Sequence, residues 1–204
     1  MDGVMEPSGH PVEPRAAVSL YGASVEYALH CMTWLVTPRD RPVSARDLAE
    51  MQGVSPTLLA KIMPRLEKAG LVQSSGGIGG GYRLARPAGE ISVLDIVDAV
   101  EGGRRLFDCK EARRGCALFD GTPPDWSARG TCAIHAVMLR AEQAMRAEMA
   151  RATLLSLTRS VRYPPDFQAR AGAWFEARAT ARETARVAAV RAVAGRRRQA
   201  NQRP

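Results

Sequence analysis

The chain has 204 residues and a formal net charge of +8, a length that suits one packed domain with extensions or two small domains. The charge is uneven: residues 159–204 hold 11 arginines and 3 acidic residues, whereas residues 1–158 hold 18 basic and 18 acidic residues. A basic tail binds any acidic surface, so charge does not single out DNA as a partner. No run is apolar over the roughly 18 residues that a membrane span needs, and residues 1–15 lack the pattern of a signal peptide. We therefore expect a cytoplasmic protein without a membrane partner, in which four cysteines favour metal or redox chemistry over structural disulfides.

Residues 1–17 are predicted to form a disordered leader, because three prolines interrupt any helix and little there can be buried. A first helix is predicted over about residues 20–36, where apolar side chains recur every three or four positions. These side chains are Leu20, Ala23, Tyr27, Cys31 and Leu35. On this apolar face the Cys31 thiol is expected to pack in the core.

Residues 18–103 are predicted to form a winged helix-turn-helix domain. Ser44 has the chemistry of an N-cap for a short helix, which Gly53 ends. Ser55 followed by Pro56 starts a second helix, since a cap hydroxyl and a proline at the first helical position both suit exposed N–H groups. Two helices at this spacing are the helix-turn-helix pattern.

A hairpin is predicted next. Strands at residues 71–73 and 82–84 flank residues 74–81, whose five glycines permit positive φ angles. This hairpin is the expected wing. Ser92 then caps a further helix that two glycines end. The predicted fold class is mainly α with a small β wing: a winged helix-turn-helix followed by a long dimerisation helix.

In such a domain the second helix enters the major groove by its first turn, while the wing lies along the backbone or the minor groove. The residues predicted to contact DNA from the helices are Ser44, Arg46, Ser55, Thr57, Lys61 and Arg65. From the wing they are residues 76–81, among them Gly79 and Gly80, together with Arg83. Winged helices also serve as protein-interaction modules, and the pattern alone leaves that alternative open.

Residues 104–132 are predicted to be a loop without sustained periodicity, which holds Cys109, Cys116 and Cys132. Thiolates select iron–sulfur clusters or zinc, and His135 follows Cys132 by one helical turn. Spacing alone leaves open that the cysteines are reduced bystanders or form a redox disulfide.

Residues 133–160 are assigned to a dimerisation helix, because the apolar stripe is too long for this small domain to cover. The stripe comprises Ile134, Met138, Ala141, Met145, Met149, Ala152 and Leu155. Residues 161–204 form a basic Ala/Arg-rich tail. Because its apolar face is weak, disorder or folding only on a partner is as much expected as a helix.

Glu26 and His30 are four residues apart on the first helix and therefore share a face. Spacing alone favours a simple surface pair over a metal site.

Several segments together match one known family. They are Val43-Ser44-Ala45-Arg46-Asp47-Leu48-Ala49, Val54-Ser55-Pro56, Lys68-Ala69-Gly70-Leu71-Val72, Gly79-Gly80-Gly81-Tyr82-Arg83-Leu84-Ala85-Arg86-Pro87, Glu90-Ile91-Ser92 and Asp95-Ile96-Val97. Residues 20–160 thereby resemble the Rrf-type winged-helix repressors, with their IscR, NsrR and RsrR branches. The resemblance implies a homodimer with a long crossing helix, palindromic DNA sites and often an iron–sulfur cluster near the dimer interface.

The segment Val25-Glu26-Tyr27-Ala28-Leu29-His30-Cys31 is most similar to the redox-sensing RsrR branch. In that branch a [2Fe–2S] cluster takes two cysteines from one subunit and a Glu and a His from the other. The resemblance thus implies that Glu26 and His30 are ligands, beside two of the three loop cysteines Cys109, Cys116 and Cys132. The spacing of those cysteines departs from the family pattern, and the best local match is Cys132-Ala133-Ile134-His135. Because His135 also sits where the IscR-like members have a histidine ligand, the resemblance gives a cluster held by three cysteines and His135 as the second option.

These observations predict a homodimeric DNA-binding transcriptional regulator that acts as a repressor. Its affinity for a palindromic operator is expected to change with the redox state or the occupancy of a [2Fe–2S] cluster. No nucleophile and base form an enzyme-like pattern, so neither catalysis nor a small-molecule substrate is expected. Two alternatives stay open: a cluster-free thiol/disulfide redox switch, and a constitutive DNA-packaging protein in which the arginine tail supplies most of the affinity.

Overall fold

The computed structural model of the chain describes residues 19–77 and 79–200. The predicted leader, residues 1–17, lies outside the described residues. The helices are α1 (Ala23–Trp34), α2 (Ala45–Met51), α3 (Pro56–Lys68), α4 (Val93–Glu101), α5 (Ala133–Arg151), α6 (Leu154–Ser160) and α7 (Pro165–Ala200), and the strands are β1 (Val72–Ser75) and β2 (Gly81–Leu84). The prediction of a mainly helical fold with a small β hairpin is confirmed.

The helix-turn-helix is formed by α2 and α3, and local chemistry explains both helix starts. The Ser44 hydroxyl accepts a hydrogen bond from the Asp47 backbone N–H at 3.1 Å, as an N-cap does. Pro56 occupies the first helical position of α3. Gly53 sits between the two helices with a φ of +63°, which only glycine adopts without strain.

The hairpin pairs β1 and β2 antiparallel, with Val72 opposite Leu84 and Ser75 opposite Gly81. Val43 adds an isolated antiparallel β-bridge to the hairpin, because it exchanges backbone hydrogen bonds of 3.1 and 2.8 Å with Tyr82. The hairpin is thereby tied to the segment that leads into α2.

One hydrophobic core joins α1, α2, α3 and α4. Its largest fully buried side chains include Met32, Leu48, Leu59, Ile62, Met63, Leu66, Ile91 and Ile96. The predicted cap of α4 is confirmed: the Ser92 hydroxyl accepts from the Asp95 N–H, and the Asp95 carboxylate accepts from the Ser92 N–H, at 3.0 and 2.9 Å. Within the described part of the chain, no helix is both long enough and apolar enough to cross a bilayer.

The sequence predicted a helix from Ala133 whose stripe continues through Leu155, but the structure divides this segment into α5 and α6. Ala152 is extended, and its carbonyl accepts from the Val93 N–H at 2.8 Å, while the Leu154 N–H donates to the Ile91 carbonyl at 2.8 Å. Thr153 then caps α6. The pairing of backbone with the segment before α4 explains the break, because a continuous helix would use those groups internally.

The basic tail is helical over most of its length and is part of the packed structure. Ala171 and Phe175 of α7 are 6% and 3% exposed. Trp34 at the end of α1 packs against Tyr163, Phe167 and Phe175, with ring centroids 6.1 to 6.3 Å apart. The disordered alternative for this part of the tail is therefore wrong.

Candidate functional site

The N-cap and the first two turns of α3 present three of the predicted DNA contacts together. Ser55, Thr57 and Lys61 are exposed, whereas the opposite face of α3 is buried. The Ser55 hydroxyl makes no capping hydrogen bond. These polar groups are positioned by a buried helix face and are available to an external partner.

The remaining predicted helix contacts differ in what holds them. Arg46 is exposed on α2. The Ser44 oxygen accepts the capping hydrogen bond already described. Arg65 lies two turns further along α3, and its guanidinium donates to the Val100 carbonyl at 2.7 Å, which ties α3 to α4. A DNA role for each of these residues stays a prediction.

The wing positions differ as well. Gly79 is exposed, and a Cβ at this position would meet nothing within 4 Å. A Cβ on Gly80 would lie 2.5 Å from the Ser75 carbonyl oxygen, so this glycine is required by the turn itself. The Arg83 guanidinium donates to the carbonyls of Arg39 and Asp40 and holds β2 against the connection between α1 and α2. Arg83 thus has a structural role within the chain, and its DNA contact stays a prediction.

The cysteine loop contains one cluster of metal-binding groups among the described residues. One ligand atom each of Cys109, Glu111 and His135 lie within 4.8 Å of one another. The Cys109 thiol donates to Glu111 Oε1 at 3.6 Å, and Arg113 donates to Oε2 at 2.9 and 3.1 Å. The hydrogen bond from Arg113 is the main cause that lowers the pKa of Glu111, so this carboxyl is ionised at neutral pH.

The other predicted ligands lie outside this cluster. Cys132 is the N-cap residue of α5, one turn before His135, and Cys116 is exposed. All four thiols are unpaired in the structure. Cys31 is fully buried in the core, and burial raises the pKa of its thiol to about 12, so it is poorly suited to metal binding or redox exchange.

Glu26 and His30 are both exposed on α1, where with Tyr21 and Leu29 they line an open surface groove. Within one described chain they do not belong to the cluster at Cys109. The resemblance assigns them to a cluster held by the other subunit of a dimer, and that assignment stays a prediction.

Glu111 was not among the predicted ligands. The available signal was a carboxylate two residues after Cys109. The convergence of this loop with His135 depends on where the loop meets α5, which spacing does not reveal.

The helix α5 exposes an apolar surface. None of its residues is buried, and Ile134, Val137 and Leu139 are 68%, 54% and 40% exposed. Its C-terminal half is held to the domain by a two-fold ion pair between Arg146 and Asp98, at 2.9 and 2.7 Å. The first half of α5 therefore offers apolar area to a partner.

Comparison with known protein families matches residues 21–160 to the Rrf2 model, described as an iron-dependent transcriptional regulator. The HTH-type transcriptional regulator IscR of Xenorhabdus nematophila is 37% identical over 94 residues, which cover 46% of this chain and 52% of that protein. The chain thus spans about half the length of the curated relatives that it matches. The matched relatives are regulators and not enzymes, as the sequence predicted.

Solved structures share the fold. CymR, the global cysteine regulator of B. subtilis, covers 71% of this chain and 100% of its own, with a TM-score of 0.56 at 21% identity. The oxidized form of Staphylococcus aureus CymR covers 70% of this chain and 98% of its own, with a TM-score of 0.52 at 26% identity. The winged-helix prediction is thereby confirmed.

Proposed function

Because this chain belongs to the Rrf2 family of iron-dependent transcriptional regulators, we propose that it is a homodimeric DNA-binding regulator that acts in the cytoplasm as a repressor on a palindromic operator. The observation that carries the DNA-binding part is the exposed N-terminal part of α3, where Ser55, Thr57 and Lys61 lie opposite the buried face of the helix. In a winged helix-turn-helix the N-terminal residues of this helix read base edges in the major groove.

The direct test uses DNA that the full chain selects from a random pool, with a shuffled duplex of equal length for comparison. Replacing Thr57 and Lys61 together with Ala is expected to remove most of the preference for the selected duplex, about tenfold for each interaction with a base that is removed. Lys68→Ala, an exposed cation at the other end of α3, is the matched control and retains the preference. An unchanged preference in the double variant would contradict reading by α3.

Dimerisation is proposed through α5. Its exposed Ile134 and Val137 bury apolar area when a second copy packs against them. A charge on this face, Val137→Glu, is expected to give a monomer in sedimentation or light scattering. Gln143→Glu, an exposed residue on the opposite face of α5, is the control for the effect of charge alone and is expected to remain a dimer.

An iron–sulfur cluster, in the first instance [2Fe–2S], is proposed as the sensing group. The donors in the cysteine loop fit such a group, because a thiol, an imidazole and a carboxylate converge at Cys109, His135 and Glu111 without a disulfide. Cys116 and Cys132 supply further thiols, and Glu26 and His30 of the partner subunit are the ligands that the resemblance implies. Bound there, the cluster would supply one-electron redox chemistry.

The residues around the site indicate how it is coupled to DNA reading. His135 lies in the first turn of α5, and α5 is tied to α4 by the pair Arg146–Asp98. The adjacent α3 is tied to α4 through Arg65. A shift at the start of α5 is therefore transmitted through packed helices to α3, the helix proposed to read DNA. Because the two half-sites of an operator lie about one helical turn of DNA apart, such a shift changes how well the two copies of α3 fit them.

Metal content tests this part. Protein purified without oxygen is expected to contain about two irons and two sulfides per chain, with an absorption spectrum that dithionite changes reversibly. Loss of iron in Glu26→Ala and His30→Ala indicates ligation across the dimer. Loss of iron in Glu111→Gln and His135→Ala indicates ligation by the cluster of Cys109, Glu111 and His135. Glu90→Gln, another exposed carboxylate, is the control. Colourless protein after reconstitution would overturn the cluster proposal.

A thiol switch is the second candidate, favoured by the exposed and unpaired Cys116. In this version Cys116 forms a reversible disulfide with Cys109 or Cys132 under oxidation, and both electrons pass to the oxidant, a peroxide or a disulfide. Alkylation with iodoacetamide before and after oxidation distinguishes the two candidates. The buried Cys31 serves as an internal control, since it stays unmodified until the protein is unfolded.

A further inference from the structure

The tail helix α7 lies outside residues 21–160, which match the Rrf2 family model. It nevertheless runs across the winged helix-turn-helix domain, called the reading domain below. Three of its arginines are spaced by four residues and therefore form one stripe. Arg178 Nε lies 3.5 Å from Asp47 Oδ1, and the Arg182 guanidinium contacts Asp47 Oδ2. Arg178 also pairs with Glu50. This part of α7 is fixed to the acidic side chains of α2.

One turn later the stripe reaches the wing. The Arg186 guanidinium lies 3.5 Å from the carbonyl oxygen of Gly77 in the hairpin turn. Glu183 pairs with Arg41 at 3.1 Å, just before α2. The helix thus runs from the start of α2 to the tip of the wing, along the domain that reads DNA in this fold.

Beyond these contacts the charge becomes one-sided. Residues 184–204 hold six arginines and no acidic residue. Among the described side chains, the ion pairs of α7 use Arg170, Arg178 and Arg182, and none uses Arg186 or Arg191. The helix continues to Ala200, which is about 21 Å past Arg186 at 1.5 Å per residue. Acidic side chains of the protein thus neutralise the proximal arginines, whereas the distal segment brings positive charge without acidic residues of its own.

We propose that the distal part of α7, residues 184–200, is a phosphate-binding arm that contacts the DNA backbone beside the half-site read by α3 and the wing. Two observations favour DNA over another acidic partner: the charge is complementary to phosphates, and the arm begins at the wing tip, which lies on the nucleic acid in this fold. The arm adds affinity without reading sequence, because arginine–phosphate contacts position a protein and do not specify bases. The inference rests on the proposed DNA-binding function.

The test compares two variants of equal charge in the full chain. The arm variant replaces Arg186 and Arg191 with Gln, and the matched control replaces Arg159 and Arg162, exposed arginines near the end of α6, with Gln. Affinity for the selected duplex and for the shuffled duplex is measured between about 50 and 200 mM salt. A third variant adds Arg196→Gln, Arg197→Gln and Arg198→Gln to the arm variant.

The arm variant is expected to bind both duplexes more weakly by the same factor. The slope of log affinity against log salt is negative, and its magnitude is expected to fall by about 0.9 for each phosphate that the arm no longer neutralises. The protected footprint is expected to shorten at both ends. The third variant extends both effects, and the control retains the slope of the native chain. An unchanged slope overturns the proposal, and higher affinity overturns it in favour of an arm that shields the reading domain.

Failure of the arm and failure of the DNA-binding function give different results. If the native chain selects no sequence from the pool, the proposed function itself fails. If it selects a sequence and the arm variants match the control, only the arm proposal fails. If the arm variants lose RNA binding or binding to anionic vesicles while their DNA slope is unchanged, the arm serves a different partner and the proposal is overturned.

Discussion

Asp47 has an unusual position for a carboxylate: it lies in the first turn of α2 and is only 2% exposed. Its burial is compensated by Arg178 and Arg182, whose side chains are 36% and 31% exposed. A carboxylate in the first turn also interacts favourably with the helix dipole. One buried group therefore connects the reading domain to the tail helix.

Replacing Asp47 with Asn is expected to destabilise the protein by about 1 to 3 kcal/mol, because two arginines lose a charged acceptor in a mostly buried site. The loss is expected to fall short of that for a fully buried pair, since both guanidinium groups reach water. Urea unfolding followed by tryptophan fluorescence measures it, with Asp40→Asn as the exposed control. A double-mutant cycle with Arg182→Gln that shows no coupling energy would contradict this account.

At the scale of elements, the wing depends on a close approach of two backbones. A Cβ on Gly81 would lie 2.6 Å from both the carbonyl carbon and the carbonyl oxygen of Val43. The glycine run was enough to predict the hairpin. The requirement for glycine at this position could not be predicted, because it arises from the β-bridge between Val43 and Tyr82, which are far apart in sequence.

Gly81→Ala is expected to displace the wing and to cost about 1 to 3 kcal/mol of stability, as overpacking against backbone does. Gly79→Ala is the matched control in the same hairpin, since its Cβ would enter open space. Thermal unfolding of both variants provides the measurement. Equal melting temperatures for the two would show that Val43 does not constrain the wing.

The same limit explains the division of the predicted dimerisation helix. Apolar residues continue at helical spacing from Met149 to Ala152 and Leu155, so periodicity alone predicts one helix. The break is imposed by hydrogen bonds to the Ile91–Val93 backbone, and Thr153 supplies a cap where the chain can restart. The available signal in the sequence was Thr153, because a threonine hydroxyl can cap the start of a new helix.

At the scale of the whole molecule, α7 completes the reading domain. Phe167, Ala171 and Phe175 are spaced by four residues, so the sequence contains a short apolar stripe at helical spacing. The arginines and alanines around it dilute this stripe, and for that reason the apolar face of the tail was too weak to predict its packing. Its partner, Trp34, comes from the other end of the chain. Likewise, the exposed first turn of α3 follows from local pattern, whereas the meeting of Cys109, Glu111 and His135 follows from the path of a loop.

Phe175→Ala is expected to destabilise the entire domain by about 3 kcal/mol, because a 3% exposed ring leaves a cavity against Trp34. Val190→Ala, on the same helix and 58% exposed, is expected to have little effect. Denaturant unfolding tests both. If Phe175→Ala matched Val190→Ala, the tail would not be part of the cooperative unit.

The exchange of hydrogen bonds between Ala152, Leu154 and the segment before α4 has a mechanical meaning. It anchors α5 at its C-terminal end, and the Arg146–Asp98 ion pair fixes the same helix six residues earlier. His135 lies about 16 Å beyond Arg146 at the helical rise. This part of α5 is a lever whose fulcrum lies at the contact with α4. A rotation of about 5° at the fulcrum corresponds to a displacement of about 1.4 Å at His135 over that length, so a change of about one bond length at the cysteine loop corresponds to a rotation of that size at α4.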